Sequence, residues 1–118
     1  PMFLSGDFNV DQFSPSYATI VDGDLLDDSH EVAGMVYEAT GTYNGYSPVK
    51  FTKSRIDHIF VSPDVKVLKY GILTDTYRTP VEGEQGQKEA NAPEEIKLTK
   101  YKARTPSDHF PVRISVEF

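Results

Sequence analysis

Cysteine is absent from the 118 residues. That excludes a disulfide framework and a thiolate metal site, so any bound metal would be held by oxygen and nitrogen. No apolar run approaches the ~18 residues that a membrane span needs, and the first residues lack the basic-then-apolar pattern of a signal peptide. Positive charge is in deficit: 12 Lys and Arg against 18 Asp and Glu leave a net charge of −6. With no Lys/Arg-rich run to offset it, this balance opposes the broad electrostatic attraction on which a nonspecific DNA binder depends. At 38% hydrophobic residues the chain can bury one modest core, so residues 1–118 read as a single domain or part of one.

What is present is a series of short strands. Residues 2–5 predict a buried strand that breaks at Gly6, and Ser14-Pro15 supplies an N-cap followed by proline at the first helical position of a helix to about Ile20. After the acid-rich stretch Asp22–Asp28, residues 29–37 fit a second short helix or an irregular loop, and 41–48 a loop. Arg55–Ser62 is the clearest strand. Ile56 and Phe60 lie on one face and Ile59 and Val61 on the other, which puts it in the middle of a sheet. A turn at Ser62-Pro63-Asp64 leads to a second strand over 65–77. Residues 79–95 read as a mobile loop and 96–103 as a short strand. Val112, Ile114, Val116 and Phe118 alternate with Arg113, Ser115 and Glu117, as in a half-exposed closing strand.

Three clusters carry chemistry. In Gly6-Asp7-Phe8-Asn9, a strand that stays extended through Phe8 sends Asp7 and Asn9 to one face, where a carboxylate and an amide oxygen suit a hard cation or an attacking water. A bare Asp-x-Asn equally well begins a turn. In Arg55-Ile56-Asp57-His58-Ile59-Phe60, Asp57 shares a face with Ile59 and Val61. A carboxylate in that apolar layer demands a specific partner, which Arg55 or backbone amides at the strand end could also supply. His58 faces the other way, as packing or pocket rim. In Ser107-Asp108-His109-Phe110-Pro111, the flanking prolines favour a loop in which Asp108 and His109 converge. Asp108 is then a candidate metal ligand. His109 is a candidate contact to a phosphoryl oxygen, oriented by a buried carboxylate such as Asp57.

In this order, "GDFN", "RIDHIFVS" and "SDHFPV" resemble the C-terminal half of the endonuclease/exonuclease/phosphatase superfamily, the deoxyribonuclease-I-like fold. The resemblance implies an α/β (α+β) architecture. It would be part of a four-layer α/β/β/α sandwich with mostly antiparallel sheets, about half of the family domain. It also implies metal-assisted hydrolysis of phosphate esters, by a phosphodiesterase, phosphatase or nuclease. Asp7 would then position or deprotonate the attacking water, Asn9 would hold that water or the phosphate, and His109 would stabilise charge on the phosphoryl oxygens. Asp57 would orient His109, and Asp108 would bind magnesium or manganese. Tyr43, Asn44 and His58 are candidates for the pocket rim.

Family members also carry, in an earlier half, a glutamate that is the principal metal ligand, and only six residues precede Asp7. The expectation is therefore a fragment of a larger hydrolase, weak in Mg2+ binding and inactive by itself. An uncovered apolar sheet face would be met by the missing N-terminal half or by a second copy. The acidic balance favours a small phosphate ester or lipid headgroup over nucleic acid as substrate. The alternative is a noncatalytic binding or assembly module on the same scaffold.

Overall fold

The computed structural model describes residues 1–81 and 100–118. The elements run β1 (Phe3–Asp7), α1 (Pro15–Val21), β2 (Asp27–Asp28), α2 (Ser29–Val32), β3 (Met35–Tyr37), β4 (Asp57–Val61), β5 (Lys66–Ile72), β6 (Tyr77–Pro80), β7 (Tyr101–Arg104) and β8 (Val112–Glu117). It is a mixed α+β arrangement with two short helices among the described residues. The strands form one three-stranded sheet in the order β1-β4-β2, another in the order β3-β5-β8, and the two-stranded pair β6-β7. Every pairing is antiparallel except β3 with β5.

The doubly apolar strand is indeed the central one of its sheet. Its Phe60 and Val61 are fully buried, on opposite faces. Val61 and Ile59 of β4 meet Val67 of β5 and Ile114 and Val116 of β8, so the core lies where the two sheets face each other. A second cluster of Tyr70, Ile72 and Phe110 continues it toward the start of β8. On the other face of β4, α1 lays Tyr17 against Phe60 and His58. That helix starts as the sequence requires, with the Ser14 hydroxyl accepting from the Tyr17 N–H at 3.2 Å.

Four expectations need correction. β1 does not break at Gly6 but runs through it, pairing Gly6 with His58 and Asp7 with Asp57. It is an edge strand rather than a buried one, with Met2, Phe3 and Leu4 between 40% and 49% exposed. The strand expected over 65–77 divides, because β5 ends at Ile72 and β6 begins at Tyr77. Of the segment expected to be a mobile loop, Thr79 and Pro80 pair in β6 with Lys102 and Tyr101, and residues 82–95 lie outside the described residues. The short strand expected over 96–103 is found as β7 from Tyr101, with Lys100 just outside it and residues 96–99 outside the described ones.

Candidate active site

The site is assembled by strand register. Antiparallel pairing of β1 with β4 sets Asp7 directly opposite Asp57, so the two carboxylates project from the same face at the same end of the sheet. Unrelieved, like charges across a strand pair are destabilising. The relief is His109, which stands in the loop just before β8. Its Nδ1–H donates to Asp57 Oδ2 at 2.8 Å, and its Nε2 lies 3.7 Å from Asp7 Oδ2. A carboxylate only accepts, so the Asp57 bond fixes which imidazole nitrogen carries a proton. The hydrogen bond to Asp57 raises the His109 pKa above its ordinary value. Partial burial opposes this, and the charges of Asp57, Asp7 and Asp108 reinforce it. The 3.7 Å separation is too long for a direct hydrogen bond, and both side chains are partly open to solvent, so a water or a phosphoryl oxygen could approach the two from outside.

Asp57, His109 and Asp7 offer one ligand atom each within 4.8 Å of one another, all of them oxygen or nitrogen. Of these, Asp7 is the carboxylate available to a hard divalent cation that keeps several waters, because Asp57 is engaged by His109 and the raised His109 pKa works against metal ligation.

Asn9 follows just past the end of β1. The strand ends at Asp7, Asn9 takes a left-handed conformation (φ 53°), and its own N–H donates to Asp7 Oδ1 at 2.9 Å. The Asp7-Asn9 turn thus exists alongside the site, and it steadies the Asp7 carboxylate. Asp108 stays outside the group of three. Its carbonyl accepts from the N–H groups of Asn44 at 2.8 Å and Gly45 at 3.2 Å, while its charge reaches His109.

Of the three candidates for the rim, Tyr43 alone is exposed there. It bridges His109 in antiparallel fashion and packs edge-on against the imidazole at 5.4 Å. Asn44 is fully buried and accepts from the Tyr46 N–H. His58 is 2% exposed, held among Phe8, Tyr17 and Phe60 with Nε2 2.8 Å from the Val10 carbonyl oxygen, so it is packing.

With that geometry in place, comparison with known proteins is decisive. The sequence profile described as the endonuclease/exonuclease/phosphatase family matches residues 1–109. The chain belongs to that family. An endonuclease/exonuclease/phosphatase family protein from Bacteroides thetaiotaomicron is 46% identical, with a TM-score of 0.81, the match covering 97% of this chain and 36% of that one. A mannosyl-6-phosphatase from Bacteroides thetaiotaomicron VPI-5482 is likewise 46% identical, with a TM-score of 0.82 and coverage of 98% and 37%. A family protein from Bacteroides vulgatus is 25% identical, with a TM-score of 0.62 and coverage of 98% and 35%. The chain therefore spans a little over a third of these structures, less than the half that the motif order suggests. A comparison with curated proteins returns no match. Members of the family are phosphoesterases and nucleases that generally use divalent metals.

Sequence reasoning missed the residues that hold the family's site in place. Thr42 is fully buried. Its hydroxyl oxygen accepts from the N–H groups of Ile56 at 2.9 Å and Asp57 at 3.3 Å, and its carbonyl accepts from the Phe110 N–H at 2.6 Å. One threonine thus ties the start of β4 to the residue after His109. A second support is Arg55, 2% exposed, whose Nη1 lies 3.2 Å from Asp28 Oδ2, the oxygen that also accepts from the Tyr17 hydroxyl. A threonine in a loop carries no sequence signal of this kind. Arg55 was conspicuous only as a possible partner of Asp57, and it pairs with Asp28 instead.

Proposed function

We propose that the full protein containing this chain hydrolyses phosphate monoesters of small polar alcohols, a sugar phosphate foremost, with a divalent metal. The observation that carries this reading is the Asp57–His109–Asp7 line, one bonded carboxylate on Nδ1 and one open carboxylate near Nε2. Phosphoryl transfer asks for in-line positioning and charge neutralisation more than for covalent help. Asp57 fixes the tautomer and ring orientation of His109 and favours its protonated form. Nε2–H then donates to a phosphoryl oxygen, and Asp7 orients the attacking water and accepts its proton. An oxygen of Asp7 would hold Mg2+ or Mn2+, with Asp108, which lies outside the group of three, a ligand on the family resemblance alone; the ion would supply neutralisation of phosphoryl charge when bound. The name of the 46%-identical mannosyl-6-phosphatase supports a sugar monoester, and the net charge of −6 supports a small substrate over nucleic acid.

This chain is proposed to be a part of the enzyme that is inactive alone, in keeping with its coverage of 36–37% of the similar structures. Part of that reading is that Phe3, Leu4, Met35 and Val36, all at least 38% exposed, are covered by the rest of the domain. The test is hydrolysis of a hexose 6-phosphate by the full-length protein with Mg2+, with EDTA, and as His109→Ala. Loss of turnover with EDTA and a fall of about 10²–10⁴-fold in the variant are expected. Indifference to EDTA and to Asp7→Ala would instead mark a noncatalytic binding module. Robust turnover by residues 1–118 alone would refute the claim that the chain is incomplete.

A further inference from the structure

The Tyr43 ring touches two things. One is the His109 imidazole, packed edge-on at 5.4 Å, and the other is the Lys50 ammonium, which sits over the ring 4.9 Å from its centre. Tyr43 is fixed in this place. It forms the antiparallel bridge to His109, and the next two residues, Asn44 and Gly45, both donate their N–H groups to the Asp108 carbonyl. Asn44 is fully buried and closes the turn by accepting from Tyr46. Gly45 takes a left-handed φ of 59°, and a Cβ there would come within 3.4 Å of the Tyr43 hydroxyl. The turn therefore presents the tyrosine at a set position relative to the site, with 39% of it open to solvent.

We propose that Tyr43 and Lys50 form the substrate wall of the His109 site, Lys50 taking an oxygen of the incoming phosphate and the Tyr43 ring taking the organic group of the ester. The inference rests on the phosphate-monoester reading and names the residues that choose the ester. Charge is the first reason. Asp7, Asp57 and Asp108 all act on His109, so a phosphate dianion approaches a surface whose carboxylates repel it. A cation at the rim offsets that. Lys50 has no ion pair among the described residues, and its resting contact is to the face of an aromatic ring. That contact is weaker than a charge-assisted hydrogen bond to a phosphate oxygen, so the ammonium leaves the ring for the substrate. Departure of Lys50 uncovers an aromatic face beside the reacting group. Such a face suits the C–H side of a sugar ring, which a simple alkyl ester lacks.

The experiment measures steady-state kinetics of the full-length protein on a hexose 6-phosphate and on methyl phosphate. Lys50→Met is expected to raise KM for both esters by about tenfold with kcat within twofold, the loss of one charge-assisted contact. Tyr43→Leu is expected to lower kcat/KM about three- to tenfold for the hexose ester and less than twofold for methyl phosphate, the scale of one aromatic contact. Equal losses for both esters with Tyr43→Leu would make the tyrosine a support for His109 and overturn its role as substrate wall. An unchanged KM in Lys50→Met would overturn the phosphate contact. If the unaltered protein hydrolysed neither ester, the monoester reading would fall and this inference with it. Turnover with unaltered selectivity would sink this inference alone.

Discussion

Asp57 and His109, 52 positions apart in the chain, are joined by a 2.8 Å hydrogen bond from the imidazole Nδ1–H to the carboxylate. This bond is the leading cause of the raised His109 pKa. Replacing Asp57 with asparagine keeps the shape and removes the charge, so the His109 pKa should fall toward the ordinary histidine value of about 6.5. Titration of the imidazole C–H resonances would show it. An unmoved pKa in Asp57→Asn would mean that some other group holds the proton.

The same shift links pH to stability. The folded pKa of His109 lies above its unfolded value, so the folded state binds the proton more tightly. The stabilisation is fully present below about 6.5, the unfolded value, and is lost as pH rises through the raised folded pKa. Denaturant midpoints of the full-length protein, compared with those of His109→Gln, should converge as pH rises through that window. Divergence with rising pH would contradict the linkage.

Thr42 offers a separate lever. In Thr42→Val the side chain keeps its shape, but the N–H groups of Ile56 and Asp57 lose their common acceptor. A buried donor left unpaired costs about 1–3 kcal/mol, so urea unfolding should show at least that loss. Thr42→Ser retains the oxygen and should recover most of it. Activity should follow stability here, since the tied segment begins the strand that carries Asp57 and reaches the residue after His109. A valine variant as stable as the parent would mean that water or another group serves those two donors.

These outcomes separate what a one-dimensional reading reaches from what it does not. Alternation places β4 and β8, because a period of two reports which side chains share a face. It also puts Asp57 on the face of Ile59 and Val61 and so poses the question that His109 answers. At Asn9 alternation loses its hold, because the strand ends at Asp7 and the backbone turns left-handed two residues beyond it. His58 is ambiguous by pattern alone, and only the arrival of Tyr17 and Phe8 over it makes it packing. Thr42 and the Asp28–Arg55 pair are invisible in the sequence because their partners come from distant segments with no local period.

Gly41 tests how tightly the loop before Tyr43 is packed. A Cβ at Gly41 would collide with the Ser54 carbonyl oxygen and lie 2.7 Å from its carbon, atoms of backbone that cannot rotate away. At Gly23 the nearest atoms are at 3.6 Å, ordinary contact. Gly41→Ala should therefore cost about 1–3 kcal/mol or more by overpacking, and Gly23→Ala should stay within about 0.5 kcal/mol. Thermal unfolding of the two variants side by side decides the matter, with equal midpoints counting against the tight approach.

Arg55 is a buried cation outside the site. Its guanidinium is buried beside Asp28, also buried, and more loosely beside Glu31, which is 62% exposed at 3.5 Å. Burial works against the Arg55 charge, yet Asp28 and Tyr70 outweigh it, so its pKa rises and the ion pair persists in the folded chain. Arg55→Met would leave Asp28 with the Tyr17 hydroxyl and the His30 N–H but no countercharge. Stranding one partner of a buried pair costs about 3–5 kcal/mol, whereas Glu31→Gln removes a solvent-screened contact worth about 0–1 kcal/mol. Adding Asp28→Asn to Arg55→Met removes the stranded charge and should restore part of the loss, a sign opposite to simple additivity. Urea midpoints of Arg55→Met, Asp28→Asn and the double variant, with Glu31→Gln as the control, give the answer. If the double variant were as unstable as the sum of its parts, Arg55 would be acting through packing rather than through its charge.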